Sequence, residues 1–128
     1  SLARAISDAS WRQLRTMLGN LIDNAVKYSD PHPGRPAPRV WVRSRVEGGS
    51  VILEVQDEGI GIPEAHLGRI FERFYRVDRA RSRATGGTGL GLSIVRHVAL
   101  NHGGEITVDS RLGEGSLFRV SLPRWREP

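Results

Sequence analysis

The chain has 128 residues, a net charge of +5, 38% apolar residues and no cysteine, which fits one packed domain and excludes a disulfide framework or a thiolate metal site. Its apolar runs are short and broken by charge, so none has the form of a membrane span or a secretory signal. The positive balance raises nucleic acid as a partner, but Arg69, Arg73, Arg76, Arg79, Arg81 and Arg83 crowd one segment with no aromatic-interleaved basic strip or recognition helix beside it. No nucleic-acid partner is expected from that pattern, whereas a triphosphate would attract it equally.

In chain order, Ser1-Leu2-Ala3-Arg4 lacks an initiator methionine, so the chain is expected to be a piece of something longer. Ser10-Trp11-Arg12-Gln13 fits a capping box opening a helix, and Leu14, Met17, Leu18, Leu21, Ile22 and Ala25 then recur at helical spacing as a core stripe. Asn20, Asn24, Lys27 and Tyr28 stand at i, i+4, i+7 and i+8 and share a second face of that helix. Magnesium takes oxygen ligands and keeps water and phosphate oxygens, so two neutral amide carbonyls one turn apart suffice for it. The same two asparagines also suit plain helix packing. Lys27 could reach a phosphate or remain solvated, and Tyr28 could lie against a purine or finish the core.

Four prolines at 31, 33, 36 and 38 end the helix in an extended loop. Val40, Val42 and Val46 then alternate with Arg39, Trp41, Arg43 and Arg45, and Val51, Leu53 and Val55 alternate again beyond Glu47-Gly48-Gly49-Ser50, the pattern of a hairpin. Asp57 closes the second strand and enters Gly59-Ile60-Gly61, where paired glycines let a flat ligand approach the backbone. A carboxylate there can accept the exocyclic amine of adenine, or Asp57 can serve only as the Asx residue of a turn. Pro63 opens a short helix to about residue 75.

Gly86-Gly87-Thr88-Gly89-Leu90-Gly91-Leu92 precedes a helix over 89–101, so free N–H groups and the positive end of the dipole face any anion held there. Thr88 could donate to a phosphate or cap the helix. The cluster is not a P-loop, since no Gly-Lys-Ser/Thr occurs, and its glycine spacing is not that of a dinucleotide fold. Gly86 and Gly87 would hinge the arginine-rich stretch before them, a lid over about 77–87. Gly103-Gly104 ends the helix, and strands over 105–110 and 116–122 flank a Gly113-Glu114-Gly115 turn. The expected architecture is α+β, a two-layer sandwich of a mixed, largely antiparallel sheet of about five strands with three main helices on one face.

These clusters, in this order, resemble the catalytic and ATP-binding domain of bacterial sensor histidine kinases, in the superfamily shared with gyrase, Hsp90 and MutL. The resemblance runs over about 10–123. The run from Asn20 through Tyr28 is similar to the family's N box, Asp57 through Gly61 to its G1 box, Phe71-Glu72-Arg73-Phe74 to its F box, and Gly87 through Leu92 to its G2 box. It implies the Bergerat ATP-binding fold, with residues 1–9 left from a link to a dimerisation and phosphoacceptor domain and 124–128 as a tail. It also implies ATP and Mg2+ as cofactors. Asn20 and Asn24 would hold the metal, Lys27 and Arg76 would contact phosphates, and Tyr28 would stack near adenine, whose amine Asp57 would bind. Gly59, Gly61, Ile62, Gly87, Thr88, Gly89, Leu90, Gly91 and Leu92 would line the nucleotide. Phe71 and Phe74 would anchor the base of the lid or simply pack in the core.

In the ATPase branch of the superfamily a glutamate stands where this chain has Asn20 and acts as general base. An amide cannot take that proton, whereas a neutral histidine nucleophile already offers a lone pair. Transfer to histidine is therefore expected over hydrolysis. The chain's histidines precede Pro33, Leu67, Val98 and Gly103, so none has the His-Glu/Asp phosphoacceptor form. The acceptor would lie in the missing domain, the fragment would be monomeric, and the full-length protein a homodimer at the cytoplasmic side of the membrane with a cognate response regulator. An ATP-binding regulatory module and an anti-sigma-type serine kinase of the same fold are the alternatives.

Overall fold

The computed structural model describes residues 8–28, 39–76 and 91–124. Helix α1 (Asp8–Lys27) is followed by strands β1 (Val40–Glu47) and β2 (Ser50–Asp57). A 3-10 turn at Glu64–His66 comes next, then helix α2 (Gly91–Asn101) and strands β3 (Glu105–Arg111) and β4 (Gly115–Pro123). The sheet has the order β1-β2-β4-β3, and all three pairings are antiparallel.

The hydrophobic stripe of α1 is buried as its periodicity requires. Met17, Leu21 and Ala25 are at most 1% exposed and meet Val95, Val98 and Ala99 of α2 over Val55, Phe118 and Val120 of the sheet. Phe71 packs edge-on against Phe118, with ring centroids 6.3 Å apart. One face of the sheet is thus covered by two helices and the segment that carries Ile70 and Phe71. The cover fades at the edge strand β1, where Val42 and Val46 stay 48% and 57% exposed. No described helix is long and apolar enough to cross a membrane.

Both hairpins and the end of α2 follow from local sequence. Gly48 and Gly49 join β1 to β2 with Glu47 opposite Ser50, and Gly48 takes a φ of 57°, a left-handed conformation that favours glycine. Gly103, at φ 73°, closes α2 in a Schellman arrangement: its N–H donates to the Leu100 carbonyl, and that of Gly104 to the Ala99 carbonyl.

Two local expectations are corrected. The first helix is described from Asp8, so Ser10 lies inside it and not at its cap; serine costs little in a helix interior. The segment after Pro63 is no continuous helix. It is a relay of tight turns in which the N–H groups of His66, Arg69, Glu72 and Tyr75 donate to the carbonyls of Pro63, His66, Arg69 and Glu72. Gly68 disfavours a helix there, and the relay buries Ile70 and Phe71 together. The expected α+β sandwich is found, the described residues giving a four-stranded, wholly antiparallel sheet and two α-helices. The second helix is described from Gly91, so the expected start at Gly89 lies outside the described residues.

On the uncovered face Glu54 is only 5% exposed, because Arg45 and Arg119 close over it. Arg119 holds one carboxylate oxygen through both Nε and Nη2, at 3.2 and 3.0 Å, and Arg45 holds the other. Hydrogen bonds from Arg45 and then Arg119 outweigh desolvation and keep the Glu54 carboxyl below its ordinary pKa.

Candidate nucleotide site

The clusters singled out in the sequence converge at one end of the sheet. Where α1 ends, the Tyr28 N–H continues the helical ladder to the Asn24 carbonyl at 3.1 Å, and the Tyr28 carbonyl accepts the Ile60 N–H at 3.1 Å. The end of the first helix is thereby stitched to the glycine loop after β2. The fit there is close: a Cβ on Gly59 would stand 2.1 Å from the Tyr28 carbonyl oxygen and 2.8 Å from Asp57 Oδ1. Gly61, at φ 73°, lies equally tight against the Arg111 carbonyl, where a Cβ would come to 1.9 Å. Gly59 and Gly61 are therefore demanded by the chain's own packing as well as by any ligand.

Asp57 sits at the end of β2, 5% exposed. Its Oδ1 accepts the Gly59 N–H at 2.8 Å, so the Asx turn is real. Burial raises its pKa, opposed by backbone hydrogen bonds from Gly59 and Ser116. A carboxylate with one oxygen engaged by its own loop keeps acceptor capacity on the other. Nearby, Glu58 is neutralised by Arg39 at 3.0 Å.

Asn20 is half-buried and faces the start of α2, where a Cβ on Gly91 would lie 3.7 Å from Asn20 Oδ1. Asn24 is half-buried one turn on, and Lys27 and Tyr28 end the same face, Lys27 exposed and Tyr28 half-buried. Among the described residues no cluster of three His, Cys, Asp or Glu could hold a metal. A cation here would be held by neutral amide oxygens, and the room in front of Asn20 Oδ1, kept open by a residue lacking Cβ, suits magnesium with water and phosphate oxygens.

Ile62, beside the first glycine loop, and Leu92, in the first turn of α2, pack against the core. Arg76 follows the turn relay, and its Nε is buried without a hydrogen-bond partner among the described residues. A buried guanidinium donor left unpaired suits an anion. Of the F box, Phe71 packs in the core, while Phe74 is 63% exposed at φ 65°. Gly87, Thr88, Gly89 and Leu90, like the lid at 77–87, lie outside the described residues.

Two contributions were not foreseen. The β3–β4 hairpin buttresses the first glycine loop: the Gly113 N–H donates to the Ile60 carbonyl at 2.7 Å, and Ser110 Oγ accepts the Ile62 N–H at 2.8 Å. Positive φ angles at Gly113 and Gly115 shape that turn, and a Cβ on Gly115 would meet the Asp57 carbonyl at 2.1 Å. In sequence the turn showed only as Gly-x-Gly, with no sign of what it touches. The other is a pairing of His66 with Tyr75, two residues that carried no motif.

Comparison with known proteins agrees with this geometry. Residues 9–126 match the family described as histidine kinase-, DNA gyrase B-, and HSP90-like ATPase. The sensor-like histidine kinase SenX3 of Mycolicibacterium smegmatis is 50% identical over 115 residues, covering 90% of this chain and 29% of its own length. Sensor histidine kinase YkoH of Bacillus subtilis is 46% identical over 89% of this chain and 24% of its own. The chain thus spans less than a third of these relatives. Among solved structures, the mycobacterial sensor histidine kinase MprB superposes with a TM-score of 0.72 at 35% identity, over 90% of this chain and 73% of that one. The catalytic domain of histidine kinase ThkA gives 0.70 at 28% identity, over 88% and 67%. The chain belongs to the histidine kinase-, DNA gyrase B- and HSP90-like ATPase family, and its sequence and fold are those of a sensor histidine kinase catalytic domain.

Proposed function

We propose that this domain binds Mg-ATP and passes the γ-phosphate to a histidine on the dimerisation and phosphoacceptor domain of the same sensor kinase, as the catalytic part of a two-component system. The observation that carries this reading is the meeting of Asn20 with Gly91 at the mouth of α2, beside a loop in which buried Asp57 adjoins Gly59. A ligand spanning from Asp57 to Asn20 has a carboxylate acceptor at one end and amide oxygens for a metal at the other. A full-length relative in fold, ShkA, was solved in complex with AMPPNP, at 35% identity and a TM-score of 0.68.

In this reading Asp57 accepts the adenine amine, Tyr28 flanks the ring, and Gly59, Gly61 and Ile62 form the floor. Asn20 and Asn24 would hold a magnesium ion, which would offset phosphate charge. Lys27, Arg76, Thr88 and the glycines at 87, 89 and 91, with Leu90 and Leu92, surround the phosphates. A neutral imidazole nitrogen attacks the γ-phosphorus, the N–P bond forms as the bond to the β–γ bridging oxygen breaks, and ADP leaves with that electron pair. The ring proton then passes to water. Positioning and charge neutralisation supply the catalysis, and Asn20, an amide, has no capacity to activate water as a base.

The described histidines are occupied: His66 with Tyr75, His97 with Asn101 at 3.2 Å and His102 with the Val98 carbonyl at 2.8 Å. None of the chain's four histidines precedes Glu or Asp, so this reading assigns the acceptor to another domain, with the kinase a homodimer whose catalytic part faces the cytoplasm, where ATP is available, and phosphorylates a cognate response regulator through that histidine. ATP titration with and without magnesium, on the native chain and on Asn24→Ala, tests the metal assignment; affinity indifferent to both would refute it. Transfer of labelled phosphate to a separately supplied phosphoacceptor domain tests the reaction, and none at saturating Mg-ATP would refute the kinase reading.

A further inference from the structure

The segment between Pro63 and Arg76 holds a side-chain clasp that the nucleotide reading leaves unused. Tyr75 packs on the core, its hydroxyl hydrogen-bonded to His66 Nδ1 and the His66 ring tilted against its own, with centroids 5.8 Å apart. Arg69 lies over the Tyr75 ring, Cζ 4.7 Å from the centroid, and is itself fixed by Nε donating to Glu72 Oε2 at 2.8 Å. His66, Arg69, Glu72 and Tyr75 are the successive donors of the turn relay, so one backbone ladder lines up all four.

The clasp brackets a strained residue. Phe74 adopts φ 65° in the turn closed by the Tyr75 N–H on the Glu72 carbonyl at 3.2 Å, a place that glycine or asparagine normally fills. Such a conformation persists only where the surroundings over-determine it. Packing does not hold Phe74, whose side chain is 63% exposed. Its neighbour Tyr75, by contrast, is gripped by His66 and Arg69. Directly beyond Tyr75 stands Arg76, whose buried Nε has no hydrogen-bond partner among the described residues.

We propose that His66 and Tyr75 are positioning residues for phosphoryl transfer: their hydrogen bond, backed by Arg69, fixes the Phe74 bend and thereby aims Arg76 at the γ-phosphate. The inference rests on the reading of Arg76 as a phosphate contact. A hydrogen bond of this kind is worth about a three- to tenfold effect when its only consequence is alignment.

The test compares His66→Ala, His66→Asn, Tyr75→Phe, Arg76→Ala and the double variant His66→Ala/Arg76→Ala. It measures the initial rate of transfer to a supplied phosphoacceptor domain at saturating Mg-ATP, and affinity for ADP, which lacks the γ-phosphate. His66→Ala and Tyr75→Phe should each slow transfer about three- to tenfold and leave ADP affinity within about twofold. Tyr75→Phe keeps the ring under Arg69, so it isolates the hydroxyl. His66→Asn restores a polar atom where Nδ1 stood and should recover most of the rate. In the Arg76→Ala background, His66→Ala should add nothing. Wild-type transfer by His66→Ala beside an impaired Arg76→Ala would overturn the proposal, as would additive losses or parallel losses of transfer and ADP affinity. Wild-type transfer by Arg76→Ala would instead overturn the reading of Arg76, and this inference with it.

Discussion

Asn20 Oδ1 stands 3.7 Å from the point a methyl on Gly91 would occupy, so the first and last of the nucleotide-site clusters meet across the two helices. The missing Cβ leaves an open approach to the amide oxygen at the end of α2 that carries its free N–H groups. Gly91→Ala should therefore separate stability from binding. The substitution suits a helix and should leave the fold unchanged or up to about 1 kcal/mol more stable. Affinity for Mg-ATP should fall about tenfold, the size of one lost contact to a charged group. Calorimetric titration beside thermal melting checks both, and an unchanged affinity would remove Gly91 from the site.

Glycines in the same stretch of chain should differ sharply in tolerance. A Cβ on Gly59 meets the Tyr28 carbonyl at 2.1 Å, and one on Gly61 meets the Arg111 carbonyl at 1.9 Å from a positive φ, whereas Gly68 has nothing within 4 Å. Gly59→Ala and Gly61→Ala should each cost about 2–4 kcal/mol, since backbone must move, and Gly68→Ala should stay within about 0.5 kcal/mol. Urea denaturation of the three variants distinguishes them.

Binding of adenine nucleotides should weaken on acidification. Burial raises the Asp57 pKa above its ordinary 3.8, so this carboxylate takes up a proton at higher pH than an exposed aspartate and becomes a poorer acceptor for the adenine amine. Ionised Asp57 costs the free fold stability at high pH, a cost relieved as pH falls through the raised pKa. Affinity and stability should therefore move in opposite directions. Asp57→Asn should flatten the pH profile and weaken ATP by about tenfold with little effect on GTP; equal losses for the two would exclude the adenine role.

The outer face of the sheet offers a stability test away from the site. Glu54 is held below its ordinary 4.5 by Arg45 and Arg119, so its contribution is present above that value and lost as pH falls through the depressed one. Both arginines are more than two-fifths exposed, which keeps the effect small. Glu54→Gln should lower Tm at neutral pH by about 2–5 °C, with the gap to the native chain closing in acid. A constant gap from neutral to acidic pH would assign the loss to packing.

The hairpins were legible because their signals are local. Gly48-Gly49 and Gly113-Glu114-Gly115 force turns wherever they occur, and Val51, Leu53 and Val55 alternate at the period of a strand. The α1 stripe was legible for the same reason: Met17, Leu21 and Ala25 need only helical spacing to share a face. The segment after Pro63 was misread as a helix because its conformation is set by the burial of Ile70 and Phe71 and by the His66–Tyr75 pair, none of which has a periodic signature.

By itself the sequence determined which residues are candidates for the chemistry. Amides at helical spacing, a carboxylate before paired glycines and a glycine run before a helix are backbone and hydrogen-bonding demands written in single residues. Only the tertiary structure decided what those residues touch: that Asp57 spends one oxygen on its own loop, that Tyr28 binds that loop through its carbonyl, and that Gly91 opens onto Asn20. Such contacts join residues far apart in the chain, and their distances depend on how two helices settle on one sheet, which no local preference encodes.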